Sequence, residues 1–305
     1  MNTGTMLKRM RFNICCGTGM RLSRRELVIA TVATATRGAP SIAEEKILPV
    51  DLFLFAGQSN MVGVTENPDR ANVPPHLASS DPNTVIFNTS ARALQTLTIG
   101  KNSNNDNDIG YWGPEAEFSY RWRQENPSVK FYLVKRAISG TYLMKRENER
   151  DWNPNSAGEH FDRFTADVRA AKTAIRARGG APTVRAICWM QGESDALDAV
   201  GSAEYKNNLM NFFAKVRSDW GNKNTMIIVG RVTPIYNFAP MIRAAQAGVV
   251  AIDIAAGNRS ALIDTDSYPR DSLHYTTVGQ VMLGAAMYNA YAHSRAGIRI
   301  PYILR

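Results

Sequence analysis

The stretch Leu52-Phe53-Leu54-Phe55-Ala56-Gly57-Gln58-Ser59-Asn60-Met61 decides how the rest of the chain is read. Leu52 to Ala56 are apolar without alternation, as in a strand buried on both faces of a sheet. Gly57 ends the run, and glycine lets a chain turn where other side chains would be strained. Asn60 and Met61 then open the next segment, read as a short helix. A serine just past the C-terminal end of a buried parallel strand lies where open α/β sheets bind their ligands. Its N–H would sit near a helix N-terminus, where partial positive charge favours an anion. Ser59 is thus a candidate nucleophile that also helps to hold an oxyanion. Four residues alone fit a strand followed by a polar turn equally well, so the downstream sequence has to decide.

Downstream, short apolar runs alternate with amphipathic ones. Strands are predicted at Thr84–Phe87, Val129–Val134, Val184–Met190, Met226–Val229 and Ala261–Asp264. Helices are predicted at Glu115–Gln124, Phe161–Ala177, Tyr205–Trp220, Ala239–Val249 and Thr276–Ala292. Phe164, Val168, Ala171 and Ile175 line one stripe of the second helix, and Arg178-Gly179-Gly180 stops it. The alternation predicts an α/β fold, with a parallel sheet covered by helices on both faces. No internal repeat or interdomain linker interrupts it. Polar loops are expected over Thr65–Pro82, over 99–112, and around Trp152. The second carries Asn102 to Asp108 and then Tyr111 and Trp112, aromatics beside amides that suit sugar rings.

The formal charge of +9 invites a nucleic-acid reading, but its distribution does not. Residues 1–43 hold Lys8, Arg9, Arg11, Arg21, Arg24, Arg25 and Arg37 against the single acid Glu26, leaving only +3 for residues 44–305. A domain so weakly charged has no strong electrostatic reason to bind nucleic acid. The leader reads as an export signal, with Arg24-Arg25, the apolar Leu27–Ala35, and small residues at Ser41 and Ala43 for cleavage after Ala43. Ser23-Arg24-Arg25-Glu26-Leu27 resembles a twin-arginine signal, and Met20 offers a second candidate start. The expected organisation is therefore a signal and extension over 1–43 and one catalytic domain over 44–305, in the periplasm or outside the cell. No apolar run after the leader reaches the roughly 18 residues that span a bilayer. Cys188, the one cysteine after the leader, lies in an apolar run and is read as a buried small hydrophobe. One cysteine permits no internal disulfide and no cysteine metal site.

Four polar pieces follow predicted strands or precede the last helix: Gly57-Gln58-Ser59-Asn60, Ser139-Gly140-Thr141, Gln191-Gly192-Glu193 and Asp271-Ser272-Leu273-His274. In a parallel sheet the strand C-termini share one edge, so these pieces should converge there. Serine, acid and histidine converging on that edge are the mark of a nucleophilic hydrolase. Asp271 precedes His274 by three residues. On one helical turn its carboxylate could accept from Nδ1–H, leaving Nε2 free to take the serine proton. An unassisted serine hydroxyl is a weak nucleophile at neutral pH, which is why the base matters.

GQSNM at 57–61, SGT at 139–141, WMQGESDA at 189–196 and DSLH at 271–274 resemble, in order, the sequence blocks of SGNH/GDSL hydrolases. The resemblance is greatest to carbohydrate esterase family 6 and sialate O-acetylesterase-type domains, over about residues 48–292. It implies a three-layer α/β/α sandwich with a central five-stranded parallel sheet, flavodoxin-like in layout. It implies Ser59 as nucleophile, His274 as general base, and an oxyanion hole of the Ser59 and Gly140 amides with the Gln191 side chain. The wider superfamily has asparagine at that last position, and Met190 stands where many relatives have histidine. For the acid partner of His274, Asp271 comes first by spacing, with Glu193 as the alternative.

The activity so implied is removal of O-acetyl groups from carbohydrates, without metal or organic cofactor. The expected partner is an acetylated sugar, with neither nucleic acid nor stable membrane insertion. Which sugar, and which oligomeric state, the residues leave open. Two other readings compete: an inactive carbohydrate-binding domain on the same fold, and an esterase or lipase for other acyl chains.

Overall fold

A computed structural model describes residues 47–63, 73–103, 110–148 and 150–298, together with the backbone of 303–304. The export signal expected at 1–43, and parts of the polar loops at 65–82 and 99–112, lie outside the described residues.

The chain runs β1 (Leu48–Gly57), α1 (Ser59–Val62), β2 (Thr84–Asn88), β3 (Ala93–Thr96), α2 (Glu115–Glu125), β4 (Phe131–Ala137) and α3 (His160–Arg176). It continues through β5 (Gly180–Met190), α4 (Ala199–Lys215), β6 (Met226–Gly230), α5 (Ala239–Ala255), β7 (Ser260–Ile263), α6 (Thr277–Arg295) and β8 (Ile303–Leu304). The strands form one sheet in the order β3-β2-β4-β1-β5-β6-β7-β8. Neighbours are parallel throughout, except that β3 folds back antiparallel on β2. The α/β/α sandwich is as expected, on a sheet of eight strands instead of five.

Apolar residues on both faces of the central strands explain the two layers of helix. Leu52, Leu54 and Ala56 of β1 join Phe164 and Val168 of α3 and Leu209 and Phe212 of α4 in one core. Phe53 and Phe55 point the other way, into a second core with Phe118 of α2 and Leu283 and Met287 of α6. Cys188 is buried in that second core, in line with its apolar setting. There the Phe53 ring stacks on Phe131 at 4.8 Å and meets Tyr291 edge-on at 5.0 Å. Among the described residues no helix is long and apolar enough to cross a membrane.

The outline differs from expectation mainly at element ends. Helix α4 starts at Ala199 and not at Tyr205, because the Asp198 side chain caps it by accepting from Gly201 N–H. A π-helical turn, Val216–Trp220, follows directly on its last residue, Lys215. Strand β5 begins at Gly180, the second of the two glycines that follow α3, and not at Val184. Strands β3 and β8 have four and two residues, too short to carry an apolar period.

What matters for function is the centre of the sheet. Strand β1 lies between β4 and β5, with Gly57 level with Ala137 on one side and Met190 on the other. The segments leaving these three strands therefore start side by side on one edge.

Candidate active site

Strand β1 ends against β5 so closely that only glycine fits. Gly57 has φ +152°, and a Cβ there would lie 2.0 Å from the Met190 carbonyl oxygen. The Gln58 N–H then donates to that same oxygen at 2.9 Å. Ser59 is the first residue of α1, a helix of only four residues. A single turn carries little macrodipole, so the expected helix-end charge reduces to local amides. The Ser59 and Asn60 N–H groups, in that first turn, have no intrahelical acceptor.

Ser59 opens onto a cleft of about 360 Å³ lined by Gln58, Tyr111, Ser139, Gly140, Glu193, Ser194, Leu197, Tyr236, Leu273 and His274. Four expected site residues, Ser59, Gly140, Glu193 and His274, are thus brought to one cleft from four separate segments. Asp271 and Gln191 are not among its walls. Among the described residues, no hydrogen bond links the Ser59 hydroxyl to His274, or the His274 ring to Asp271 or Glu193. No group of three or more His, Cys, Asp or Glu side chains among them is placed to hold a metal.

His274 lies in a tight turn before α6, and not on a helical turn with Asp271 as expected. Asp271 Oδ1 accepts from the backbone N–H of Leu273 at 3.0 Å and of His274 at 2.9 Å. The Asp271 N–H donates back to the His274 carbonyl at 3.0 Å, and Arg270 and Tyr275 close the turn as an antiparallel bridge. A short aspartate side chain commonly captures backbone in this way. It spends Oδ1 on the backbone of the turn.

Glu193 sits on the cleft wall with almost no exposed surface. Its Oε1 accepts from Asn60 Nδ2 at 2.8 Å. The Gln58 amide, oriented to satisfy its surroundings, donates to Glu193 Oε2 and to the Thr141 carbonyl, each at 3.2 Å. Burial is the main influence on this carboxyl and pushes it up to about 6; the Asn60 bond opposes the rise and the charge of Asp195 adds to it.

Gln191 does not serve as expected. Its Nε2 donates to the Thr141 carbonyl at 3.1 Å and to Asp195 Oδ2 at 2.6 Å, so both amide hydrogens are engaged. Its Oε1 accepts from Tyr205 at 3.2 Å, and the side chain is wholly buried. The oxyanion role assigned to it is therefore corrected: Gln191 braces the segment that follows Gly140. Asp195 does the same, accepting from Leu143 N at 2.9 Å and Met144 N at 3.0 Å. Burial pushes the Asp195 carboxyl up to about 6, against the pull of these bonds. Trp152, donating to Thr141 Oγ1 at 3.1 Å, completes the support.

The aromatics are distributed differently from the sequence expectation. Trp112 and Trp152 are fully buried and offer no surface to a sugar. Tyr111 does line the cleft, as does Tyr236, which the sequence did not single out. Burial, reinforced by the Glu193 charge, raises the Tyr236 hydroxyl well above its usual range, so it stays protonated. Asn60 and Asp195 were also missed, although both lie within the quoted motifs.

Comparison with known proteins is consistent with this geometry. Residues 49–293 match the family model described as "Carbohydrate esterase, sialic acid-specific acetylesterase". A probable carbohydrate esterase of Arabidopsis thaliana is 27% identical over 269 residues, covering 81% of this chain and 92% of its own. The X-ray structure of an Arabidopsis thaliana protein superposes with a TM-score of 0.63 at 23% identity, covering 80% of this chain and 98% of its own. NanS superposes with a TM-score of 0.59 at 15% identity, covering 82% and 99%. A carbohydrate acetylesterase from Xanthomonas citri gives 0.53 at 19%, covering 83% of this chain and 58% of its own.

Proposed function

This chain belongs to the carbohydrate esterase family of sialic acid-specific acetylesterases, and from that premise we propose that it releases acetate from O-acetylated sugars through Ser59, His274 and a two-amide oxyanion hole. As a member of that family it is a carboxylic ester hydrolase.

In this reading Ser59 Oγ attacks the acetyl carbonyl carbon while His274 Nε2 takes the hydroxyl proton. The oxyanion is met by the N–H groups of Ser59 and Gly140. The bond from the acetyl carbon to the sugar oxygen breaks, and His274 returns the proton to that oxygen. Water, activated by the same imidazole, then cleaves the acetyl-serine and frees acetate. One oxyanion donor is commonly worth on the order of 10²–10³ in kcat, so two fixed amides are a substantial part of the catalysis. Asp271 is proposed to orient His274, with Glu193 as the alternative.

One observation carries the reading: Ser59, Gly140 and His274, from three segments far apart in sequence, line one cleft at the C-terminal edge of the sheet. Support for a sugar comes from Tyr111 and Tyr236, which line the same cleft. A second reading, for longer acyl chains, draws on Leu197 and Leu273, which line the cleft with 61% and 45% of their surface exposed.

The test is ester release from a panel: O-acetylated sialic acid, acetylated xylo-oligosaccharides, and the acetyl, butyryl and octanoyl esters of 4-nitrophenol. The account expects acetate from at least one acetylated sugar, and a fall in kcat/KM as the acyl chain lengthens. A rise from acetyl to octanoyl, with no acetylated sugar cleaved, would favour the longer-chain reading. We also propose that residues 1–43 direct export; a mature protein beginning at Glu44 is the expected result of N-terminal sequencing.

A further inference from the structure

Asn60 is completely buried, yet its side chain makes three hydrogen bonds to two segments distant in sequence. Nδ2 donates to Glu193 Oε1 at 2.8 Å and to the Leu273 carbonyl at 3.3 Å. Oδ1 accepts from the Tyr275 N–H at 3.1 Å. The Asn60 carbonyl in turn accepts from Gln280 Nε2, in the first turns of α6, at 3.2 Å.

Two of those bonds go to the peptide groups on either side of His274. The Leu273 carbonyl belongs to the peptide bond entering His274, and the Tyr275 N–H to the one leaving it. With both held by one rigid carboxamide, the position and tilt of the His274 backbone are fixed relative to Asn60. Asn60 is the covalent neighbour of Ser59. The path from serine to histidine therefore runs through one peptide bond and one side chain, although the two residues are 215 positions apart in sequence. The Asp271 bonds described above shape the turn internally; Asn60 ties it to the centre of the sheet.

We propose that Asn60 is a positioning residue, whose carboxamide sets His274 at working distance from Ser59 while Glu193 fixes the orientation of that carboxamide. The chemistry requires an amide. A donor must face the Glu193 carboxylate and the Leu273 carbonyl, and an acceptor must face the Tyr275 N–H. Aspartate has the same shape and can still accept from Tyr275, but it turns an acceptor toward two acceptors. Alanine removes all three bonds.

The inference rests on His274 being the base, and a double-mutant cycle keeps the two ideas apart. The variants are Asn60→Ala, Asn60→Asp, His274→Ala and each Asn60 change combined with His274→Ala. Each is assayed for kcat and KM on one acetyl ester, below its own unfolding midpoint and with folding checked by circular dichroism. In the parent background each Asn60 change should lower kcat by at least thirtyfold and move KM by less than about threefold. In the His274→Ala background the same change should alter the residual rate by less than about threefold, because no base is left to position. A mere loss of folded protein would lower the rate equally in both backgrounds. If Asn60→Ala does not fold, Asn60→Asp carries the test alone. The inference is overturned if the folded Asn60 variants keep kcat within threefold of the parent, or if the full penalty recurs without His274. If His274→Ala itself is active, the base assignment fails first, and independently.

Discussion

Gln191 Nε2 donates to Asp195 Oδ2 at 2.6 Å, and both side chains are buried beneath the segment that carries Gly140. This pair converts two motif residues into scaffold. Asp195 gathers the Leu143 and Met144 amides, and Gln191 holds the Thr141 carbonyl. In the proposed mechanism this bracing of the residues that follow Gly140 would set its amide before substrate arrives, as oxyanion stabilisation requires.

Gln191→Ala should therefore act on the fold first. It leaves the Thr141 carbonyl and an Asp195 oxygen short of a donor and opens a void beside Tyr205. Unsatisfied buried groups cost about 1–3 kcal/mol each, so a loss of roughly 3 kcal/mol is expected. At about 2–4 °C per kcal/mol, that is a fall in Tm on the order of 6–12 °C. A direct oxyanion donor behaves otherwise: kcat falls by roughly 10²–10³ while Tm stays put. Thermal unfolding and kcat, measured on one preparation, separate the two.

Glu193 should make stability depend on pH in an unusual direction. Burial lifts its carboxyl from 4.5 to about 6, so the folded chain holds this proton more tightly than the unfolded one. The contribution is fully present below pH 4.5 and lost as pH rises through about 6. The size is about 2 kcal/mol. Glu193→Gln has no such proton. Between pH 4 and pH 7, denaturant unfolding should show the stability gap shifting by about 2 kcal/mol in favour of the variant. A gap that stays constant with pH would mean that Glu193 titrates normally.

The acid partner of His274 can be assigned by kinetics. We predict that Asp271→Asn lowers kcat by about 10⁴, as when a triad acid becomes its amide and the wrong tautomer results. Partial recovery at alkaline pH should accompany it. Glu193→Gln should cost no more than about 10², through a weakened grip on Asn60. If Glu193→Gln proves the worse by tenfold or more, roughly 1.4 kcal/mol of barrier, Glu193 is the acid.

Much of this architecture could be read from the sequence because the central strands are apolar on both faces. The runs Leu52–Ala56, Val184–Met190 and Met226–Val229 could only be buried strands, and they lie side by side in the sheet. Once these strands and β4 are parallel, the motifs at their C-terminal ends must share an edge, which is why Ser59, Gly140 and Glu193 meet. The turn at 271–274 was misread because a three-residue spacing fits a helical turn and an aspartate-capped turn alike. Gln191 was misassigned because chemistry was given more weight than parity. Side chains alternate along a strand, so Gln191 follows Trp189 to the α4 side, where Tyr205 waits. The Asp198 cap was legible and overlooked. Asn60 could not be read, since its partners lie 133 to 220 residues away.

The most direct measurement is the rate of acetate release by Ser59→Ala, on an acetyl ester that the parent cleaves, with the fold checked by circular dichroism. Removing the nucleophile of a serine hydrolase costs on the order of 10⁶ in kcat. The account predicts a loss of that order with an unchanged spectrum. A folded Ser59→Ala protein that retains activity within about tenfold of the parent, roughly 1.4 kcal/mol of barrier, would contradict it.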